Sequence, residues 1–169
     1  MRWLPTRRSA ASLLLSGLLL LIALPAGAQD VVRTADITVR GIKESDFPRI
    51  KKLADNVYSY EQLHQGMKVV TTNSLIVVTT DGVLIADGQG NQEHVKRMIA
   101  DIAKLTPQPI KYVVVGSEHG DHTGGNDAMI QATGAKLLAH RGAKGRIPGI
   151  DRGLGAGDVI RVGRTVDLE

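Results

Sequence analysis

Short apolar runs and one amphipathic stretch alternate along residues 57–139, and their period predicts the elements. Residues 57–60, Val-Tyr-Ser-Tyr, read as the first firm strand. Residues 74–80 and 83–86 are near-continuous apolar runs divided by Asp81-Gly82, a hairpin signal, and such runs suit a sheet covered on both faces. The period then lengthens. Val95, Met98, Ile99 and Ile102 fall at i, i+3, i+4 and i+7, with Lys96, Arg97, Asp101 and Lys104 on the other side. Asn91 is placed to cap this helix, Glu93 suits its first turn, and Pro107 and Pro109 stop it. Residues 110–115 predict a buried strand, 126–133 a short helix closed by Gly134, and 136–139 another strand. Upstream, 30–39 read as a modest strand or extended arm, and 43–54 as mixed, with a turn of helix near Pro48. The tail, 158–162 and 165–169, reads as a hairpin around Gly163-Arg164. Strand, helix, strand, loop, helix, strand is an α/β order, and no repeat interrupts it.

The N-terminus changes the picture of the whole. Arg2, Arg7 and Arg8 precede an apolar stretch over 10–24, and Ala26-Gly27-Ala28 follows as a cleavage-type ending. This is the pattern of a secretory signal peptide over 1–28, cut before Gln29, which predicts a periplasmic or secreted protein. Ser12, Ser16 and Gly17 interrupt the apolar core, so a retained membrane anchor is the weaker expectation. The pair Arg7-Arg8 hints at twin-arginine export, but Ser-Ala-Ala follows it where a bulky apolar residue is usual. Of the formal net charge of +4, the leader carries +3, leaving about +1 on the mature chain. With no block of like charges, nucleic acid is not an expected partner; a small-molecule substrate is. Oligomeric state is not legible.

Candidate chemistry concentrates in residues 113–126, VVVGSEHGDHTGGN. His119, Asp121 and His122 crowd into four residues just beyond a predicted buried strand, with Gly116, Gly120, Gly124 and Gly125 around them. His and Asp are ligands that zinc accepts, and a loop at the carboxyl end of a strand is where α/β folds place sites. The chain has no cysteine, so His, Asp and Glu are its metal-binding vocabulary.

The hairpin ending in Leu84-Ile85-Ala86-Asp87-Gly88, the amphipathic helix and the strand running into S-E-H-G-D-H-T-G-G-N together resemble the metallo-β-lactamase superfamily, over roughly residues 57–147. The resemblance implies a four-layer αβ/βα sandwich with a metal site at one edge of its sheets. It places the N-terminal half of that domain over 57–169, behind an N-terminal extension over 29–56. The family motif H-x-H-x-D-H falls on Ser117, His119, Asp121 and His122. By that match His119, Asp121 and His122 are metal ligands, Asp121 also orients the attacking hydroxide, and Asp87 supports the site from behind. Ser117 stands where the family usually has His. A neutral hydroxyl is a poor zinc ligand, so the first of two metal positions is weakened and fewer than two tightly held ions are expected. The family's later ligands, a His, a bridging Asp and a final His, have no counterpart here.

For the parent protein the resemblance implies a zinc-dependent hydrolase, exported by its leader, in which a metal-activated hydroxide attacks an ester, thioester or amide-like bond. This chain is expected to be inactive by itself. The alternatives are a catalytically inactive metal- or ligand-binding module on the same fold, which Ser117 suggests, and a fragment inactive alone. Among isolated candidates, His64 in a polar stretch over 61–67 reads as solvated, His94 as surface and His140 as structural. Glu118 is an unsuitable stand-in for the missing His, since neighbours on an extended segment point apart. Thr123 and Asn126 read as caps of the following helix.

Overall fold

The apolar block folds as the expected hairpin. β3 (Thr71–Val78) and β4 (Val83–Ala86) pair antiparallel, with Leu75 opposite Ala86 and Val78 opposite Val83. The Thr79 hydroxyl closes their loop by donating to the Gly82 carbonyl at 2.7 Å and accepting from the Asp81 and Gly82 amides. The structure, a computed structural model, describes residues 34–64, 70–163 and 167–168. The expected leader lies outside these residues, as does the start of the strand expected over 30–39.

One mixed sheet organises the described residues. Its seven strands run in chain order, from β1 (Arg49–Ala54) and β2 (Val57–Leu63) through β3 and β4 to β5 (Ile110–Val115), β6 (Lys136–His140) and β7 (Arg152–Leu154). The first four strands pair antiparallel; β4 to β7 pair parallel. The antiparallel part needs no crossover, whereas each parallel step from β4 to β6 needs one, here made by a helix. Helix α1 (Gln92–Leu105) supplies the first, capped by the Asn91 side chain, which accepts from the His94 amide at 2.9 Å. Helix α3 (Asn126–Thr133) supplies the second and ends at Gly134, whose φ of 70° is the left-handed conformation a helix terminus favours. Among the described residues no helix is long and apolar enough to cross a membrane.

Both crossover helices lie on one face of the sheet. Val95, Met98 and Ile102 of α1 and Met129 of α3 pack there on Ile76, Ile85, Val113 and Leu137, all essentially solvent-free. The opposite face carries a smaller cluster, Val77, Leu84 and Leu138, covered by Ile160 and Val162 from the tail. The expectation of a sheet covered on both faces therefore holds for its centre, and the α/β order holds throughout.

Several local expectations are corrected. The described part of 30–39 is no strand: Asp36 to Gly41 form turns, with the Asp36 carboxylate accepting from the Thr38 amide at 2.8 Å. Within 43–54 the helical turn is a 3₁₀ segment at Glu44–Asp46, before Pro48, and Arg49–Ala54 is edge strand β1. All six β1 residues are exposed, so no burial alternation marks them in the sequence. The stretch expected as a polar loop begins inside β2: Glu61 is buried and takes a bidentate pair from Arg40 and a 2.8 Å bond from the Thr71 hydroxyl. The Arg40 hydrogen bonds hold its carboxyl below the usual range despite burial. Strand β7, three residues with a central Gly, carries too little pattern to be read. The tail forms the expected hairpin in its described part, β8 (Ile160–Arg161) against β9 (Asp167–Leu168).

Candidate metal centre

Two chain segments meet at the carboxyl ends of the parallel strands β4 and β5. The first leaves β4 at Asp87, whose φ of 62° is left-handed, a conformation Asp tolerates better than most non-glycine residues. Its amide donates to the Val114 carbonyl and its Oδ1 accepts from the Gly116 amide, each at 2.8 Å, which ties it to the end of β5. The second segment leaves β5 through Ser117 and Glu118 and turns into a one-turn helix, α2 (Gly120–Thr123), with His119 as its N-cap. The sequence predicts a glycine-rich loop over 119–122. A helical turn forms instead, because the His119 carbonyl gathers the His122 and Thr123 amides and the Thr123 hydroxyl at 3.0–3.1 Å.

That turn sorts the candidate ligands. Asp121 Oδ2 lies 3.3 Å from His122 Nε2, and His122 Nδ1 lies 3.2 Å from Asp87 Oδ2. Asp87, His122 and Asp121 thus form one chain of polar groups, each side chain about a quarter exposed. His122 Nδ1 is buried at that distance from Asp87 without hydrogen-bond geometry. His119 is exposed and does not join the chain, and among the described residues no set of three or more His, Cys, Asp or Glu is arranged to hold an ion. Ser117 accepts from the His119 amide at 3.3 Å, a local turn contact. Glu118 pairs with Arg146, so it is directed away from the group. Asp121 and His122 suit zinc as two converging donors. The third donor is the part this arrangement lacks.

Beside Asp121 lies a cleft of about 430 Å³ lined by Leu63, His64, Thr72, Gly90, His94 and Asp121, with Gly120 and Gly124 in its wall. His64, expected to be solvated, and His94, expected at the surface, both face it. Burial, then the nearby His64 and Arg97, lowers the His94 pKa. Neither imidazole could be linked to Asp121 from sequence, since His64, just beyond β2, and His94, at the start of α1, are both far from it along the chain. His140 serves structure, as expected: its Nδ1 accepts from the Gly142 amide at 3.1 Å. Asn126 and Thr123 do not cap α3, whose N-cap is Gly125; Asn126 is buried with its Oδ1 unpartnered.

Glycines let the two segments close on one another. The Gly125 amide donates to the Gln89 carbonyl at 2.7 Å, and a Cβ on Gly124 would lie 2.3 Å from the Gly90 carbonyl oxygen. Gln89, fully buried, donates through Nε2 to the Ser74 hydroxyl at 2.8 Å. Gln89 and Thr72 were not singled out by sequence reasoning; each sits in a polar stretch, 87–92 and 71–74, whose composition carries no sign of burial.

Known proteins match this arrangement. A model of the metallo-beta-lactamase superfamily matches residues 67–166. A hydroxyacylglutathione hydrolase of a Polaromonas species is 60% identical over 67 residues, which is 40% of this chain and 26% of that protein. A second protein of that name, from Nitrosococcus oceani, is 60% identical over 52 residues, 31% of this chain and 20% of that protein. The chain therefore aligns with only about a quarter of the length of the curated relatives it matches. A solved metallo-beta-lactamase from Pontibacter korlensis superposes with a TM-score of 0.58 at 22% identity, over 68% of this chain and 56% of that one. At that identity it is the fold that is shared. With the family model spanning more than half the residues and the fold shared with a solved member, the chain belongs to the metallo-beta-lactamase superfamily.

Proposed function

We propose that this chain is part of an exported zinc-dependent hydrolase acting on a thioester. The observation that carries the reading is the convergence of Asp121 and His122 at the carboxyl ends of β4 and β5, with Asp87 behind His122. Asp121 and His122 would hold the ion, with the exposed His119 as the third ligand. Bound zinc supplies a nucleophile at neutral pH by acidifying water, and polarises the bond to be broken. Asp87 orients His122, because a carboxylate beside the far ring nitrogen fixes which nitrogen is left to bind metal. Asp121 sets the direction of attack through its carboxylate. The relatives named hydroxyacylglutathione hydrolase support the thioester and make an acylated glutathione the first substrate to test.

Metal analysis joined to turnover checks this. The full chain loaded with zinc and freed of excess is expected to retain less than two equivalents, and a chelator is expected to remove both metal and any hydrolysis of a hydroxyacyl-glutathione thioester. Two tightly held ions would contradict the weakening assigned to Ser117. Zinc retained without turnover of thioester, ester or β-lactam favours the second reading, a metal-binding module without catalysis, for which Ser117 and the missing third donor speak. Export is expected to leave Gln29 as the first residue; N-terminal sequencing of protein recovered from an exporting host that finds Met1 retained would overturn it.

A further inference from the structure

Strand β3 presents Thr72, Ser74, Ile76 and Val78 on its helix-facing side, by the two-residue period of a strand. Ile76 and Val78 pack into the main core there, while Thr72 and Ser74 put hydroxyls into an equally buried position, 4% and 2% exposed. A buried hydroxyl costs free energy unless it is hydrogen-bonded, and valine would fill such a site without that cost. Each hydroxyl spends its bond on one of the two segments that build the site. Ser74 accepts from Gln89, two residues beyond Asp87. Thr72 donates to Asp121 Oδ2 at 3.3 Å, the same oxygen that faces His122 Nε2.

We propose that Thr72 is a positioning residue for Asp121: its hydroxyl, fixed by the sheet, sets the carboxylate in the orientation that pairs it with His122. This rests on the zinc reading above and assigns the ligand's orientation to the sheet. Helix α2 is a single turn in a glycine-rich loop, so its own backbone restrains Asp121 weakly, and a β-branched residue with restricted χ1 on a paired strand is a stiff brace. A carboxylate released from Thr72 would sample rotamers that open the Asp121–His122 pair.

The test uses cobalt(II) and zinc on the full chain, with Thr72→Val, Thr72→Ser and Thr72→Ala. Metal affinity is read by competition with a chromogenic chelator, coordination by the cobalt absorption spectrum, and folding by thermal melting. Thr72→Val is expected to bind zinc about tenfold more weakly and to shift the cobalt spectrum, and Thr72→Ser to restore both. Should Thr72→Val fail to fold, the Ser and Ala variants, which both lack the methyl group, isolate the hydroxyl: Ser is expected to hold metal better than Ala. Affinity and spectrum unchanged across the folded variants overturn the role of Thr72 alone. A wild-type chain that takes up no cobalt overturns the zinc reading, and the role of Thr72 with it.

Discussion

Asp121→Ala is expected to weaken zinc binding about 100-fold or more and to reduce any metal-dependent hydrolysis to background. The partners of metal ligands already change affinity by about 10- to 100-fold when removed, and a ligand itself should matter at least as much. Asp121 is one of two donors that converge among the described residues, so its loss leaves His122 with only the exposed His119. The substitution should cost little stability, because the side chain is about a quarter exposed and its polar contacts are with Thr72 and His122 at 3.3 Å. Melting temperature and metal affinity should therefore separate. Asp121→Asn sharpens the comparison: its amide oxygen can still accept from Thr72 but brings no charge to a cation. Zinc affinity unchanged in both variants would remove Asp121 from the ligand set.

Gly124→Ala is expected to lower stability by about 3 kcal/mol, the upper end of what overpacking costs, and to displace the loop carrying Asp121. The added Cβ would lie 2.3 Å from the Gly90 carbonyl oxygen and 2.8 Å from that of Gly120. Both are backbone atoms and cannot turn aside as a flexible side chain does. The φ of Gly124, −62°, is ordinary for alanine, so the effect would be one of space and not of backbone strain. Gly120→Ala is the control, since a Cβ there meets nothing within 4 Å and α2 should form as before. Chemical denaturation measures the difference. Equal stability of the two variants would show that the segments at Gly90 and Gly124 are not in close contact.

The elements with strong burial patterns were legible in the sequence. Hairpin β3–β4, helix α1 with its Asn91 cap, and strands β5 and β6 each bury a continuous run or a regular stripe, and burial is what a hydrophobic pattern records. Strand β1 left no trace because all its residues are exposed, and a fully solvated edge strand imposes no period. The same limit hid α2, a single turn built from Gly, Asp, His and Thr, whose form comes from amides gathered by the His119 carbonyl.

The candidate site divides along the same line. Clustering of His119, Asp121 and His122 was visible because they are neighbours in the chain, and Asp87 because the hairpin ends on it. Their arrangement was not. Turning the loop into α2 brings Asp121 and His122 together and leaves His119 exposed, a distinction that spacing alone does not contain. Thr72 on β3 and His94 on α1 reach the site from other elements, and Gln89 is tied to β3, so their part in it depends on which elements pack together. The sequence by itself determined which residue types offer donors to a metal and which elements bury a core, since both follow from local composition and period. Only the tertiary structure decided which of those side chains converge, because that depends on how two loops pack where glycines let them touch.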